Sequence, residues 1–312
     1  MKHKIFLTGG AGCLGTSIID ALLPIGHEIF VLDNFVTGKK QNLPNHPNLT
    51  VFEGSVTNKE HVSKLFSEFK PTLVINSAAS YKDPSNWKED SETNIIGSIN
   101  IAKASIDNNV KKVINFQTAL CYGRPDITPI PIDSPTKPFT SYGISKTAGE
   151  QYLMNSGLNV VSMRLANICG PRLAIGPIPT FYTRLKAGKS CFCSDTIRDF
   201  IDMEDFLDIL SLAITKEIQT GIYNISTGKG TSIKEVFDEV ASYLGITAPV
   251  VPILPVGADD VKEVVLDPTH TEKKFNWKAK YDFKQTIIRQ LEWYDKFGVT
   301  DIYSHLSSPK KN

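Results

Sequence analysis

No apolar run in this 312-residue chain approaches the roughly 20 residues that a membrane-spanning helix needs. The amino terminus, Met1-Lys2-His3-Lys4, leads straight into Ile5-Phe6-Leu7-Thr8-Gly9-Gly10, too short an apolar stretch for a signal h-region, and no cleavage site follows. Net charge is nearly absent as well: 34 Lys and Arg stand against 33 Asp and Glu, a formal +1. No global field recruits DNA, RNA or an anionic membrane, so an anionic ligand has to be held by local groups. Cysteine is scarce and odd in number, with Cys13, Cys121, Cys169, Cys191 and Cys193 mostly inside apolar stretches. Free buried thiols in a reducing compartment fit this usage better than a disulfide framework. Cys191-Phe192-Cys193 has neither a second pair nor a neighbouring His, so no metal site is expected. Internal repeats and low-complexity segments are absent too. These absences leave a cytoplasmic protein as the expectation.

What is present is an ordinary globular composition, 41% hydrophobic and 21% charged, on a chain long enough to bury a large core. Short apolar segments at 5–7, 28–32, 51–52, 73–76 and 112–116 read as strands. Between them lie helical patterns: Ile18, Ile19, Ala21, Leu22 and Leu23; then Val62, Leu65 and Phe66; then Ile95, Ile96, Ile99 and Ala102 over 93–108. Apolar strands alternating with amphipathic helices predict an α/β fold whose parallel sheet is covered on both faces. From about Asn167 the pattern loosens, broken by Pro171, Pro177 and Pro179. Helices are expected again near 181–186, over 233–244 and over 283–297, and the tail after Leu306 is expected to fray. The expected division is a dinucleotide-binding Rossmann domain over 1–166, to which 200–225 returns. A smaller C-terminal α/β substrate lobe would be built from 167–199 and 226–312.

The segment Thr8-Gly9-Gly10-Ala11-Gly12-Cys13-Leu14-Gly15 lies between the first strand and the first helix. Glycines at 9, 12 and 15 allow a tight turn, close backbone approach to a pyrophosphate and close helix–sheet packing, and the helix amino terminus then faces the phosphates. Asp33 ends the second strand 18 residues past Gly15. There a carboxylate accepts hydrogen bonds from both adenosine ribose hydroxyls and repels a 2′-phosphate, which favours NAD over NADP. The alternative for Asp33 is a solvated carboxylate at a strand end. Asn34-Phe35-Val36-Thr37-Gly38-Lys39 would wrap the adenosine edge.

These residues, with Ser141-Tyr142-Gly143-Ile144-Ser145-Lys146 and Arg198-Asp199-Phe200-Ile201, resemble the extended short-chain dehydrogenases/reductases that modify nucleotide sugars. The likeness spans roughly 4–277. It is nearest to the epimerase/dehydratases of bacterial O-antigen clusters, which share wording such as Phe116-Gln117-Thr118-Ala119-Leu120-Cys121-Tyr122-Gly123. The resemblance implies a cofactor site of Gly9, Gly12, Cys13, Leu14, Gly15, Asp33, Asn34, Phe35, Thr37 and Gly38. Ser55, Val56, Ala78, Ala79, Asn94, Gln117, Tyr142, Lys146 and Leu165 complete it. It also implies a homodimer joined through the helices near 94–108 and around Tyr142.

Chemistry gives the same group a reason. Tyr142 and Lys146 are four apart on a helix and share a face. A phenol with a pKa near 10 is a poor base at neutral pH, and a nearby ammonium stabilises the phenolate so that a sugar hydroxyl can be deprotonated. Thr118 stands where the family places a Ser or Thr that hydrogen-bonds the reacting oxygen, and Lys146 would also hold the nicotinamide ribose. The family's 4,6-dehydratases carry an Asp-Glu pair next in the chain; here it is Ala119-Leu120, and neither can move a proton. The resemblance therefore implies a UDP-sugar 4-epimerase. Tyr142 would take the C4 proton while hydride passes from C4 to NAD, and the keto sugar would turn over before the same hydride returns. Two alternatives stay open: a nucleotide-sugar 4-keto reductase or dehydratase, and a non-catalytic dinucleotide-sensing Rossmann protein.

On the substrate side, Asn167 and Arg198 match residues that touch the nucleotide diphosphate. Their alternatives are a loop cap for Asn167 and an ion pair to Asp199 or Asp202 for Arg198. Lys82 follows the fourth strand, where it could meet a sugar substituent such as a carboxylate or stand solvated. Three positions depart from the family pattern. Ser55 replaces an Asp that contacts adenine. Asn76-Ser77 replaces His-Leu, at a position read as structural. Near 255–261 a second phosphate arginine is missing, with Gly257 close to its place, so the phosphate grip must come from elsewhere.

Overall fold

The computed structural model describes residues 2–247, 249–257 and 260–303. The tail after Leu306 lies outside the described residues. The first half of the chain builds β1 (Lys4–Thr8), β2 (Glu28–Asp33), β3 (Leu49–Glu53), β4 (Leu73–Asn76) and β5 (Lys112–Thr118). Two further strands, β6 (Val160–Leu165) and β7 (Gly221–Ile225), complete a seven-stranded sheet in the order β7-β6-β5-β4-β1-β2-β3. Every pairing in it is parallel. The architecture is a Rossmann-like α/β fold.

Alternation along the strands sends side chains to two apolar layers. Ile5, Leu7, Ile75, Ile114, Phe116 and Met163 pack against the helices Cys13–Leu22 and Met203–Thr215. Phe6, Phe30, Val74, Val113 and Val160 pack against Lys59–Phe69, Gly97–Asp107 and Leu153 of Ser141–Met154. Each such side chain, fully removed from water, contributes roughly 1.5–3 kcal/mol, so the two layers dominate stability. On the second face the strands turn polar toward their carboxyl ends, at Thr8, Asn76, Asn115, Ser162 and Arg164, all buried.

The helix expected over 93–108 is not regular. Trp87–Asp90 is α-helical, Ser91–Ile96 is a π-turn, and Gly97–Asp107 resumes the α-helix. The wide turn drives the Asn94 side chain into the protein, where it is bonded on both sides (below); such π-turns often lie at functional sites. Past residue 167, Pro177 and Pro179 do not break a helix but begin one, Pro177–Lys186, because proline needs no N–H in a first turn. That helix, Ile233–Tyr243 and Phe283–Phe297 enclose a separate core of Phe181, Phe237, Ile287, Leu291 and Tyr294. Capping boxes start the last two, Ser232 with Glu235 and Asp282 with Gln285. Among the described residues no helix is long and apolar enough to cross a membrane.

Candidate active site

The glycine turn is shaped by what surrounds it. Gly9 has φ +68°, and a Cβ there would lie 2.9 Å from the backbone of Ala78; at Gly15 a Cβ would lie 2.4 Å from the Gly9 carbonyl oxygen. The outer side of the turn is open, since a Cβ at Gly12 would meet only the Gly9 oxygen, at 3.4 Å. Gly12 caps the helix Cys13–Leu22 without any side-chain acceptor, so its first amides, those of Cys13 and Leu14 among them, are available to an anion. Thr8 Oγ1 accepts from the amides of Ser77 and Ala78, both at 3.0 Å, and so sets Ala78 and Ala79 beside the turn.

Asp33 is buried rather than solvated. Its two oxygens accept from Ala11 N and Phe35 N, each at 2.8 Å, so the carboxylate also ties the strand end to the glycine turn. Phe35 takes a left-handed φ of +56° there. Asn34 Oδ1 accepts from Val36 N at 3.2 Å. Gly38 packs so closely that a Cβ would lie 2.7 Å from that of Ala11, which brings Thr37 and Gly38 over the turn. Ser55 shares a hydrogen bond with Thr57, and Val56 is buried against Gly97.

Thr118 closes β5 in register with Leu165 of β6. Thr140 Oγ1 accepts from Gly143 N and starts the helix Ser141–Met154, which places Tyr142 in its first turn. The Tyr142 hydroxyl is hydrogen-bonded to the Thr118 side chain. Burial raises the Tyr142 hydroxyl well above the usual phenol value, Tyr81 adds to this, and the Thr118 bond opposes it. The ring of Tyr81 meets that of Tyr142 edge-on, centroids 6.3 Å apart. Lys146 is buried and its Nζ donates to the Phe116 carbonyl at 2.5 Å. Burial pulls its ammonium down to about 8, and Glu150 opposes the fall.

Other side chains hold this group. Gln117 donates to the Lys146 carbonyl at 2.9 Å and accepts from Thr118 N at 2.7 Å. Asn94 donates to the Ser80 carbonyl and to Ser145 Oγ and accepts from Ser80 N, all at 3.0 Å. Both amides are thus engaged by the protein; they shape the site from behind. Asp90, which the sequence did not single out, accepts from Ser141 Oγ at 2.7 Å and Ser80 Oγ at 2.8 Å.

A cleft of about 260 Å³ runs between the glycine turn and residues 298–303. Ala11, Gly12 and Cys13 form its floor, Tyr81 and Lys82 one wall, and Asp301 and Tyr303 its roof. Residues 299–303 cross it as a strap. Lys39 Nζ binds Asp301 at 2.5 Å and Thr300 at 2.9 Å; Tyr303 pairs with 174–176 by backbone bonds of 2.8 and 3.1 Å, and its hydroxyl donates to the Lys82 carbonyl. No local sequence pattern announces such a strap, because its partners are more than a hundred residues away.

At the substrate end, Arg198 pairs with neither Asp199 nor Asp202. Its Nη2 binds Asp260 Oδ1 at 2.5 Å. Asp199 is fully buried and accepts from Thr227 and Gly228, while Asp202 caps the helix Met203–Thr215 and binds Arg289. Both acids already have partners, which leaves the guanidinium to Asp260. Asn167 Nδ2 donates to the Asp199 carbonyl at 3.0 Å. Asp260 lines a second cavity of about 560 Å³ with Arg124, Asp126, Gly257 and Lys262. Nothing would meet a Cβ at Gly257; its neighbours 258–259 lie outside the described residues. Ala119 and Leu120 pack into an apolar cluster with Tyr122, Ile130 and Val261.

The sequence profile described as the NAD dependent epimerase/dehydratase family matches residues 5–226. The chain is 62% identical to the Bordetella bronchiseptica enzyme WbmG, crystallised in complex with NAD and UDP, covering 99% of this chain and 100% of that one with a TM-score of 0.94. It is 28% identical to the UDP-glucose 4-epimerase of Thermotoga maritima, crystallised with UDP-glucose, covering 94% and 99% of the two chains at a TM-score of 0.86. The UDP-glucose 4-epimerase of Mycolicibacterium smegmatis is 28% identical over 315 residues, 93% of this chain and 98% of that protein.

Proposed function

The chain belongs to the NAD dependent epimerase/dehydratase family, and from that premise we propose that it is an NAD-dependent 4-epimerase of a UDP-sugar, in the synthesis of a bacterial surface polysaccharide. The observation that carries the reading is the meeting of Thr118 and Tyr142, with Lys146 one helical turn behind, at the carboxyl end of the sheet, where positions 119 and 120 are hydrocarbon. Open α/β sheets bind ligands at that edge.

The residues fit the dinucleotide: an open glycine turn, free helix amides and a buried acid at the adenosine end. Gly9, Gly12, Cys13, Leu14, Gly15, Asp33 and Thr37 would hold it, and the 299–303 strap would roof it. Bound NAD supplies the acceptor and later donor of a hydride at C4 of the sugar. Thr118 steadies the C4 oxygen, and Tyr142 takes the C4 hydroxyl proton as the carbonyl forms and gives it back as the alcohol is restored. The Lys146 ammonium lowers the cost of the intervening phenolate. Arg198 and Asn167 hold the diphosphate end while the keto sugar turns over, and the arginine would exchange Asp260 for phosphate oxygens. Water elimination has no proton carrier in Ala119-Leu120.

Residues 1–166 with 200–225 would form the dinucleotide half, and 167–199 with 226–312 the sugar-nucleotide half. The buried thiols suit a reducing cytoplasm. Proton NMR of the protein with NAD and a panel of UDP-hexoses, UDP-N-acetylhexosamines and UDP-uronates tests the reading. A C4 epimer without net NADH is expected. A 4-keto-6-deoxy product would replace it with a dehydratase, and stoichiometric NADH consumption or formation with another redox step.

A further inference from the structure

The sheet buries a row of polar side chains that the proposed chemistry does not use. Register places Thr8, Asn76, Asn115 and Ser162 side by side across β1, β4, β5 and β6. They are hydrogen-bonded in sequence: Thr8 Oγ1 to Asn76 Oδ1 at 3.2 Å, Asn76 Nδ2 to Asn115 Oδ1 at 3.1 Å, and Asn115 Nδ2 to Ser162 Oγ at 3.1 Å. Ser162 Oγ then donates to Glu150 Oε1 at 2.6 Å. Glu150 is held from β6 by Arg164, whose Nη2 lies 2.8 Å from Oε2 and whose guanidinium stacks 4.8 Å over the Tyr122 ring. Tyr122 passes its proton bond to Asn224 of β7 at 2.8 Å. The side chains of Glu150 and Arg164 are 3% and 6% exposed.

Burying two charges costs several kcal/mol per ion before their attraction is counted, and an apolar pair of the same volume is often no less stable. A row that converges on such a pair therefore invites a role beyond stability. Glu150 stands one helical turn after Lys146 and two after Tyr142, on the face that packs against the sheet. We propose that Glu150 and Arg164 are a positioning pair for the catalytic helix: they fix the electrostatic potential in which Tyr142 takes and returns its proton beside the Lys146 ammonium. The inference rests on the roles given to Tyr142 and Lys146 above.

Other titratable groups face the site besides this pair. Cys121 and Tyr122, from the turn after β5, are both raised to about 12 by burial and stay neutral. Tyr81, from the loop after β4, is raised as well. Asp90 faces Tyr142 from the helix Trp87–Asp90 and is occupied by two hydroxyls. Glu150 is the acid that keeps the ammonium of Lys146 from falling further. By the sign of the charge removed, loss of the carboxylate is expected to lower the proton affinities of Lys146 and Tyr142, and loss of the guanidinium to raise them.

The test is a pair of variants of opposite sign. In Glu150→Gln both limbs of the pH–rate profile should move down, and in Arg164→Met both should move up, by roughly one pH unit or more. A structural role alone predicts lower activity and a lower Tm with unmoved limbs, or limbs moved the same way in both; either result overturns the proposal. If Glu150→Gln does not fold, Arg164→Met keeps the Ser162–Glu150 bond and reads the sign alone, an unmoved or lowered profile being fatal. The Tyr142 phenolate can also be titrated without substrate, as the ultraviolet absorbance lost in Tyr142→Phe. Silence of the wild-type enzyme on all sugars would sink the functional reading, while that titration would still return the sign of the shift.

Discussion

Tyr142 is a neutral phenol as the structure stands, because burial raises its hydroxyl and only Thr118 pulls the other way. The proposed use of Tyr142 as a base would therefore depend on positive charge brought close, from Lys146 and from the dinucleotide. Tyr142→Phe should lower turnover by about 10²–10⁴-fold while NAD stays bound; near-normal turnover would remove it as the base. The thiols are disarmed by the same physics. Burial raises Cys13 and Cys121 to about 12 and Cys193 to about 11, and Cys169 and Cys191 also rise. At neutral pH the thiolate fraction is then negligible. Iodoacetamide should label the native protein slowly at best, Cys13 first because it is half-buried, and all five after denaturation; intact mass would show a fast native adduct. The side chains proposed for the chemistry and the cofactor were readable because their spacing is local: Tyr142 and Lys146 on one helix, Asp33 behind a glycine turn. The alternative partners of Arg198, Asp199 and Asp202, are its neighbours in sequence, whereas Asp260 is 62 residues away and no spacing rule reaches it.

The helix Ser141–Met154 is fixed at its middle by Gly149, where a Cβ would lie 2.3 Å from the Asn94 carbonyl oxygen. Gly149→Ala should cost about 1–3 kcal/mol by overpacking, lower the Tm, and lower kcat by tilting Tyr142 and Lys146; an unchanged kcat would mean the π-turn yields instead. The π-turn itself escaped the sequence, because Ile95, Ile96, Ile99 and Ala102 are spaced as on an ordinary helix, whereas the structure leaves Ile96 45% exposed and buries Asn94. The strap over the cleft makes a second prediction. The Lys39–Asp301 pair leaves Asp301 mostly exposed and is worth about 1 kcal/mol or less, so Asp301→Ala should speed NADH release no more than about fivefold. A chain ending at Gly298 loses the backbone pairing as well and should release it faster still, as stopped-flow fluorescence would record.

For the molecule as a whole, the first five strands were readable as apolar runs, whereas β6 and β7 were not. Val160–Leu165 carries Ser162 and Arg164 among its apolar residues, and Gly221–Ile225 is five residues with Asn224 inside. Both are buried strands whose polar positions belong to the row across the sheet, so the feature that hid them is the one that ties them together. A homodimer, expected from family resemblance, would use Ile106, Ile144 and Tyr152, apolar or aromatic side chains left about half exposed on the helices Gly97–Asp107 and Ser141–Met154. Ile144→Asp should give a monomer in sedimentation velocity; a monomeric wild type at micromolar concentration would dismiss the interface.

The cleft has its floor in residues 11–13 and its roof in 299–303, and this has a bearing on how the protein is made. A ribosome delivers residues 11–13 long before residues 299–303. The cleft can be roofed only after synthesis has passed residue 303, so until then its floor stands open to solvent.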